Sequence, residues 1–496
     1  MSDSGTNVAQ VIALGSPGRK AGGGCGVNSN AGCGSKVMPL DPLVREKVAN
    51  HPCYSQEAHQ YYARMHVAVA PGCNVQCNFC NRKFDCSNES RPGVTSRLLS
   101  PEEAANKVRY VANRVPQLSV VGIAGPGDPL ANPDRTFRTL ELIAEKTPDL
   151  RLCLSTNGLA LPDYVERIVD CGVDHVTVTI NMVDPEVGEL IYPWVYFEGK
   201  RRSGKDAARI LSERQLEGVK NLVAKGILCK VNSVMIPGVN DEHLVEVSRV
   251  VRSMGVFLHN VMPLVSSPEH GTYFGLNGFR GPSPQEVANL QDRCSSGDGQ
   301  MNIMRHCRQC RADAVGMLGE DRSEEFSGDD ALQAAETYDA DERRKLHQEI
   351  ERGREEQRAQ RESLRIELGG GYRPSSTVLV AVATKGNGLV NQHFGQATEF
   401  WIYEAGERWA RFIQIRSIDR YCFGPETCGD DQSPLDRSIG LLADCSAVIC
   451  SKIGEDPRRA LALAGIDTVV TYDLIDKAVA EVGEAIISTK GSRAAV

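Results

Sequence analysis

Three cysteines fall within eight residues, Cys73, Cys77 and Cys80, in the spacing C-x3-C-x2-C. The run His66-Val67-Ala68-Val69-Ala70 leads in as a strand, and Pro71-Gly72 turns the chain. Thiolates are soft donors suited to iron–sulfur clusters, zinc or Cu(I), so the fold is expected to deliver this strand and turn to a metal centre. A four-iron cubane takes four cysteines. Three at this spacing hold three irons and leave the fourth open for a small molecule that chelates through a nitrogen and an oxygen. Zinc is the competing assignment, but zinc ribbons show paired C-x2-C knuckles, and this triplet is not one.

From 66 to about 300 the pattern alternates. Strands are predicted at 66–70, 118–124, 150–155, 174–180, 227–236 and 256–262, with helices at 101–115, 134–146, 161–171, 205–225, 241–254 and 284–293. Such alternation implies a parallel sheet with right-handed crossovers. Six units are too few for an eight-stranded barrel; an open partial barrel and a doubly wound sheet both fit. In either, the strand C-terminal ends carry the site. Those ends bear Gly125-Pro126-Gly127-Asp128-Pro129, Ser155-Thr156-Asn157-Gly158, Asn181, and Asn232 in the strand that ends Ile236-Pro237-Gly238-Val239-Asn240. Glycines let the backbone approach a ligand closely, and Asp128 can accept from an ammonium. Alternate strand residues face opposite sides. Cys153 therefore shares a face with Ser155 and can enter a barrel, and His66 shares one with Ala68 and Ala70, small neighbours that leave room for a ligand. Cys229 lies opposite Asn232 and reads as packing; Cys171, closing a helix, also reads as structural.

The chain has 496 residues, room for two or three domains. A net charge of −8 argues against a general nucleic-acid surface. No apolar run approaches 18 residues, so no membrane span is expected, and the polar, Gly-rich N-terminus does not read as a signal peptide. Seventeen cysteines without a secretion signal point to metal or redox chemistry rather than disulfides. Residues 1–40 are rich in Gly, Ser and Asn and are expected to be disordered, with Cys25 and Cys33 incidental. Residues 41–65 read as a helix begun at Pro42 and interrupted at Pro52. Cys86 and Glu89 share a loop within reach of a second metal centre. The connection 183–204, with Trp194 and Lys200-Arg201-Arg202, reads as a lid, a docking patch for an acidic partner, or a solvated loop. Cys307 and Cys310 form a C-x2-C pair in a tail able to fold over the barrel mouth. Residues 319–373 read as a charged linker, part helical and part flexible. Beyond it, strands at 378–383, 399–404 and 447–450 and a helix at 456–464 make a further α/β unit over 374–491, with His393 either a cluster ligand or a turn histidine.

The triplet after a strand, with Phe79 just before its last cysteine, resembles the radical S-adenosylmethionine (SAM) signature. Gly125-Pro126-Gly127-Asp128-Pro129 resembles that family's Gly-Gly-Glu-Pro loop, with Asp for Glu and a reach shorter by one methylene. The resemblance implies a partial (βα)6 TIM-like radical SAM barrel over 41–318 and a catalytic [4Fe–4S] cluster on Cys73, Cys77 and Cys80. It further implies SAM beside Phe79, Gly125, Gly127, Asp128, Thr156, Asn157, Asn181 and Asn232. Residues 374–491 resemble the NifX-type domain, ribonuclease H-like in fold, that binds nitrogenase cofactor precursors. Together with His51-Pro52-Cys53-Tyr54-Ser55, Asn81-Arg82-Lys83-Phe84-Asp85-Cys86 and Cys307-Arg308-Gln309-Cys310-Arg311-Ala312-Asp313-Ala314, this resembles the radical SAM proteins that build the nitrogenase cofactor.

For that group the implied chemistry fuses two [4Fe–4S] precursor clusters into an eight-iron core, adds a sulfur, and inserts a carbide from the SAM methyl. One SAM gives the methyl; a second is cleaved to a 5′-deoxyadenosyl radical. Cys53, His66, Cys86, Glu89, Cys153, Cys307 and Cys310 are the implied precursor ligands, with His66 and Glu89 the labile ones; sequence leaves their division open. Implied partners are an iron–sulfur cluster donor, a reductant such as ferredoxin or flavodoxin, and the assembly proteins NifX and NifEN, in the cytoplasm, with neither nucleic acid nor membrane. Other readings remain open here: a radical SAM maturase of a peptide or nucleotide, an iron–sulfur scaffold or electron carrier, and a zinc module.

Overall fold

The computed structural model describes residues 42–494 except 56, 88–92, 296–300, 308–309, 318–320, 334–335, 368–373, 387, 398 and 418–433. Cys25, Cys33 and Glu89 lie outside the described residues. The first sheet contains β1 (Ala63–His66), β2 (Leu118–Ile123), β3 (Arg151–Thr156), β4 (Val173–Thr179), β5 (Leu228–Met235), β6 (Leu258–Pro263) and β7 (Val315–Gly316). Its order is β7-β1-β2-β3-β4-β5-β6, with β1 to β6 parallel and β7 antiparallel to β1. A doubly wound sheet reverses its strand order at a switch point. This one never does, so the chain winds in one direction and the sheet is the partial (βα)6 barrel.

The crossover helices are Pro101–Arg114, Pro133–Lys146, Leu161–Asp170, Gly204–Ala224, Leu244–Ser253 and the closing Pro284–Ser295. The first starts at Ser100, whose hydroxyl accepts from Glu103 N while Glu103 caps back onto Ser100 N, with Pro at the first helical position. Strand parity sets the layers. Met65, Val121, Leu152, Leu154, Val176, Val178, Cys229 and Val231 face outward into one core with the helices. Arg64, His66, Gly122, Cys153, Lys230, Asn232 and Asn260 are on the opposite, inner parity.

Three expectations are corrected. The first strand is Ala63–His66, not 66–70, although Val67 N still reaches Gly122 O (3.0 Å) and Ala70 N reaches Gly125 O (3.2 Å). The helix expected over 41–65 stops at Val48; His51–Ser55 turns instead and plugs the strand N-terminal ends. There the His51 ring packs at a tilt against those of His175 (ring centroids 4.3 Å) and Tyr54 (4.6 Å), and Tyr54 reaches Leu228 O at 3.3 Å. The seventh strand, β7, was not foreseen. It ends a tail whose earlier part runs along β6, with Ile303 bridged to His259 and Met304 N donating to His259 O at 2.8 Å. The tail thus touches both edges of the open barrel.

The charged segment after the tail contains the helix Ala340–Glu367. Two of its arginines are buried. Arg343 donates to Asp149 (2.9 Å) and to the carbonyls of Ala112 (2.7 Å) and Leu118; Arg354 donates to Ala49 O at 2.8 Å and to Glu351. The C-terminal unit is a five-stranded sheet of β8 (Val378–Val382), β9 (Glu399–Gly406), β10 (Trp409–Ser417), β11 (Ala447–Cys450) and β12 (Asp467–Val470), ordered β10-β9-β8-β11-β12. The β8, β11 and β12 strands are parallel, and Ile475–Ala494 packs across the sheet. Trp401 of this unit lies 5.7 Å from the His59 ring, which stacks on His306 at 5.0 Å. Among the described residues no helix is long and apolar enough to cross a membrane.

Removing the Arg343 head takes the donor from the Ala112 and Leu118 carbonyls and, among the described residues, leaves Asp149 with the Tyr338 hydroxyl alone. Arg343→Ala should lower stability by about 2–4 kcal/mol, read as a fall in the chemical-denaturation midpoint. An unchanged midpoint would show that the helix lies on the barrel without holding it.

Candidate metal centres inside the barrel

The cysteine triplet sits at the mouth, where the strand C-terminal ends converge. Gly127 N donates to Ala70 O (2.5 Å) and Asp128 N to Gly72 O (2.7 Å), so the loop after β2 lies directly on the turn before Cys73. A Cβ on Gly127 would stand 2.0 Å from the Gly72 carbonyl oxygen, an impossible contact. Asn157 Nδ2 donates to Asn74 Oδ1 at 2.7 Å and faces Cys73 Sγ at 3.7 Å, tying the β3 end to the same loop. Burial, with Asp128 adding, pushes the Cys73 thiol up to about 11. Burial and then Cys80, Cys73 and Cys86 hold Cys77 well above its ordinary value. Cys86 is therefore in electrostatic range of the triplet, while the preceding Asp85 senses Asp313 and Arg311 of the tail.

Asp128 is buried, and its carboxylate accepts from Leu130 N (2.9 Å), Ala131 N (3.3 Å), Thr156 Oγ1 (3.0 Å) and Asn157 N (2.5 Å). It ties the ends of β2 and β3 together. Asn181 is likewise engaged, donating to the Tyr192 hydroxyl (2.8 Å) and accepting from Val234 N (2.7 Å). Asn232 Oδ1 accepts from Asn260 Nδ2 at 3.1 Å. Phe79 is buried in an apolar cluster with Val75, Cys77, Tyr192 and Phe274. Gly125 adopts φ +155° beside Ala312.

A second group of thiols closes the side of the barrel. Cys53 rises from the plug, and Cys307 and Cys310 come from the tail. Asn260 on β6 donates to Cys307 Sγ at 3.3 Å. Arg64 on β1 places Nε and a terminal nitrogen 3.2 and 3.1 Å from Cys310 Sγ, and its other terminal nitrogen donates to Gly316 O (2.6 Å) and Met317 O (3.2 Å). Burial pushes the Cys53 thiol up to about 12 against the pull of Lys230, with Cys310 and Cys307 adding. Three thiols flanked by two buried cations, Arg64 and Lys230, suit an anionic thiolate-bound cluster, because burying such charge without compensation is costly. Sequence reasoning missed both cations; their inward parity beside His66 and Asn232 was the available signal.

A third group lies within the first two. His66 and Cys153 flank Gly122, whose Cβ position is 3.1 Å from His66 Cδ2 and 3.7 Å from Cys153 Cβ. Glycine there leaves the space between the two donors open. His66 Nδ1 lies 3.1 Å from Arg311 O. A carbonyl only accepts, so Nδ1 carries the proton and Nε2 keeps the lone pair a metal needs. Burial, with Arg64, pulls His66 down to about 4, leaving it neutral at physiological pH. His393 in the C-terminal unit has the opposite tautomer: its Nδ1 accepts from Gly395 N at 3.0 Å, capping its own turn. Cys229 is buried on the outer parity and Cys171 caps a helix end through Arg167 O, as expected of structural thiols.

Comparison with known proteins follows the same division. Residues 67–251 match the model of the Radical SAM superfamily, and residues 376–485 match that of the Dinitrogenase iron-molybdenum cofactor family. The FeMo cofactor biosynthesis protein NifB of Frankia alni is 63% identical over 94% of this chain and 93% of its own. The chain belongs to the NifB family. Members from Herbaspirillum seropedicae (56% identical; 90% of this chain, 86% of theirs) and Azotobacter vinelandii (54%; 92% and 91%) match it similarly. Radical SAM proteins use a [4Fe–4S] cluster and SAM, and the donor chemistry at the barrel mouth, three convergent thiols, fits that pair.

In this NifB-family chain Gly127→Ala should push the β2 loop off the cysteine turn. After anaerobic reconstitution the variant should retain markedly less SAM-cluster iron, seen as loss of its reduced-state EPR signal; a full signal would mean the loop yields without cost.

Proposed function

We propose that this chain makes the eight-iron precursor of the nitrogenase cofactor by joining two [4Fe–4S] substrate clusters around a carbide drawn from SAM. The observation that carries the reading is the convergence of three donor groups on one barrel interior. One stands at the mouth, one on the closing tail and plug, and one on the strands between them. A maturase with an ordinary auxiliary cluster on Cys307 and Cys310 would leave His66 and Cys153 unused.

The cluster on Cys73, Cys77 and Cys80 would, when bound, supply the electron that splits SAM. Everything else falls to the protein. Asp128 and Asn181 work through the backbone: Asp128 fixes the Thr156–Asn157 turn against the cysteine loop, and Asn181 fixes Tyr192 and the β5 strand. Gly125 and Gly127 let the loop lie close, while Asn232 and Asn260 present a polar inner wall below it. One substrate cluster is assigned to Cys53, Cys307 and Cys310, with Arg64 and Lys230 offsetting its charge. The other is assigned to His66 and Cys153, with Cys86 completing the thiolates and Glu89 as the exchangeable oxygen ligand. A neutral imidazole among thiolates is the weaker bond, so His66 is the ligand that yields when the clusters join. Cofactor chemistry makes and breaks the bonds to carbon; the barrel orients and shields them. The domain at 374–491 would hold the product before transfer to carriers such as NifX and NifEN, and a cluster donor and a ferredoxin or flavodoxin would serve the barrel.

The decisive assay is anaerobic: reconstitute, count iron, add dithionite and SAM, and quantify 5′-deoxyadenosine and S-adenosylhomocysteine. About twelve irons per chain, three cubanes, with both products, is the expected outcome. Deoxyadenosine alone with about four or eight irons would favour the maturase. Cys53→Ser should lose about four irons and abolish precursor formation while deoxyadenosine production persists; loss of SAM cleavage instead would sink the assignment of Cys53 to a substrate cluster. A chain ending at residue 374 should still couple clusters, and failure to make any precursor would refute the holding role.

A further inference from the structure

The connection 183–204 is an ordered element built onto the cysteine loop. It forms the hairpin Trp194–Phe197 and Lys200–Ser203. Val75 and Gln76, between Cys73 and Cys77, pair antiparallel with Val195 and Trp194. Tyr196 N donates to Asn74 O (2.7 Å), Asn78 N to Ile191 O (2.8 Å) and Asn78 Nδ2 to Leu190 O (2.7 Å). Val195 packs inward with Val75 and Phe79. Backbone hydrogen bonds therefore connect the hairpin directly to the residues that separate the first two cysteines.

Its outward face combines aromatic and cationic groups. Tyr196 is 54% exposed and Leu190 53% exposed. The Arg201 guanidinium lies 4.8 Å over the Trp194 ring. Lys200 is exposed at the tip, and exposed Arg82 and Lys83 follow Cys80 on the same loop. Among the described residues, exposed Lys200, Arg201, Arg82 and Lys83 have no carboxylate partner, whereas half-buried Arg202 lies on the inner side opposite Val195 and nearby Lys205 is neutralised by Glu186 at 2.8 Å. Asp184, Glu189 and Glu198 are the acidic neighbours, so these four exposed cations leave a small positive excess on a chain of charge −8. Charges on an edge strand serve to block sheet-to-sheet pairing. That explains Lys200 but not an exposed Tyr and a cation-stacked Trp, the residue types enriched where proteins dock, nor an exposed Leu beside them.

We propose that this hairpin is the docking face for a small acidic one-electron carrier protein that reduces the cluster on Cys73, Cys77 and Cys80. The inference rests on the proposed function for its need of an outside electron. In the step, the carrier's reduced centre loses one electron and the cluster gains it; no bond or proton moves. The paired strands Val75–Gln76 and Trp194–Val195 place the docked surface one strand spacing, about 4.8 Å, from the cysteine loop. Opposite charge would raise the encounter rate and make it sensitive to salt.

The test uses the reconstituted full chain without SAM and a photoreduced acidic [2Fe–2S] ferredoxin, followed by anaerobic stopped-flow absorbance. The wild-type second-order rate constant should fall as ionic strength rises from about 0.05 to 0.5 M. The double variant Lys200→Glu/Arg201→Glu should be about tenfold slower at low salt, with iron content and reduction by dithionite unchanged. Equal rates for the two proteins, or a wild-type rate indifferent to salt, would overturn the proposal. If the charge reversal costs iron, Leu190→Ser/Tyr196→Ser, which leaves every charge in place, decides instead: slower transfer from ferredoxin supports the docking face, an unchanged rate refutes it. Because reduction is read without SAM, a chain that fails to make deoxyadenosine or to couple clusters would still report on docking.

Discussion

The buried guanidinium of Arg64 holds the architecture closed. A six-stranded parallel sheet leaves two free edges, and an open edge is an unsatisfied row of backbone donors and acceptors. Here the tail from Met301 to Gly316 covers both, and Arg64 secures it by gripping Cys310 Sγ and the carbonyls of Gly316 and Met317. Asn260 does the equivalent on the far edge through Cys307. The same bonds that finish the barrel wall deliver two of its thiols to the interior. Folding and site construction are one event, which is why β7, only two residues long, matters more than its length suggests.

Local signals carried much of this. Helix starts such as Ser100-Pro101 are written in capping residues, and all six crossover helices fall close to their expected spans. Parity put His66 and Cys153 on the inner face, because alternation is a property of the strand itself. What could not be read depends on contacts far apart in sequence. Arg64 and Lys230 read as ordinary charges until the tail and the plug surround them. Cys53 meets Cys307 across some 250 residues, with no local mark of the pairing. His51–Ser55 resembles a helix interrupted by proline, and only His175 and Leu228 turn it into a plug. The helix at 340–367 looks solvated by composition, and the two arginines that anchor it find their acceptors at helix and strand ends elsewhere.

The strand-end polar residues carry a related lesson. A carboxylate placed where strands emerge invites assignment as a ligand contact, yet Asp128 already takes four protein donors. Those donors tie the loops after β2 and β3 to each other. The histidines divide by the same accounting of donors and acceptors. His66 faces a carbonyl and His393 faces an N–H, and that difference alone fixes which ring nitrogen is available.

The closing tail has one more consequence. Its cysteines face a thiol from the opposite end of the core chain, so anything bound by Cys53, Cys307 and Cys310 acts as a cross-link between the plug and the wall. Cargo held there would tighten the protein that holds it, and its departure would loosen the same wall. Retention and release are then set by a single structural equilibrium. A barrel that gripped its tail more strongly without cargo would be pre-organised and hold the product more tightly, and one that gripped it less would release it more easily.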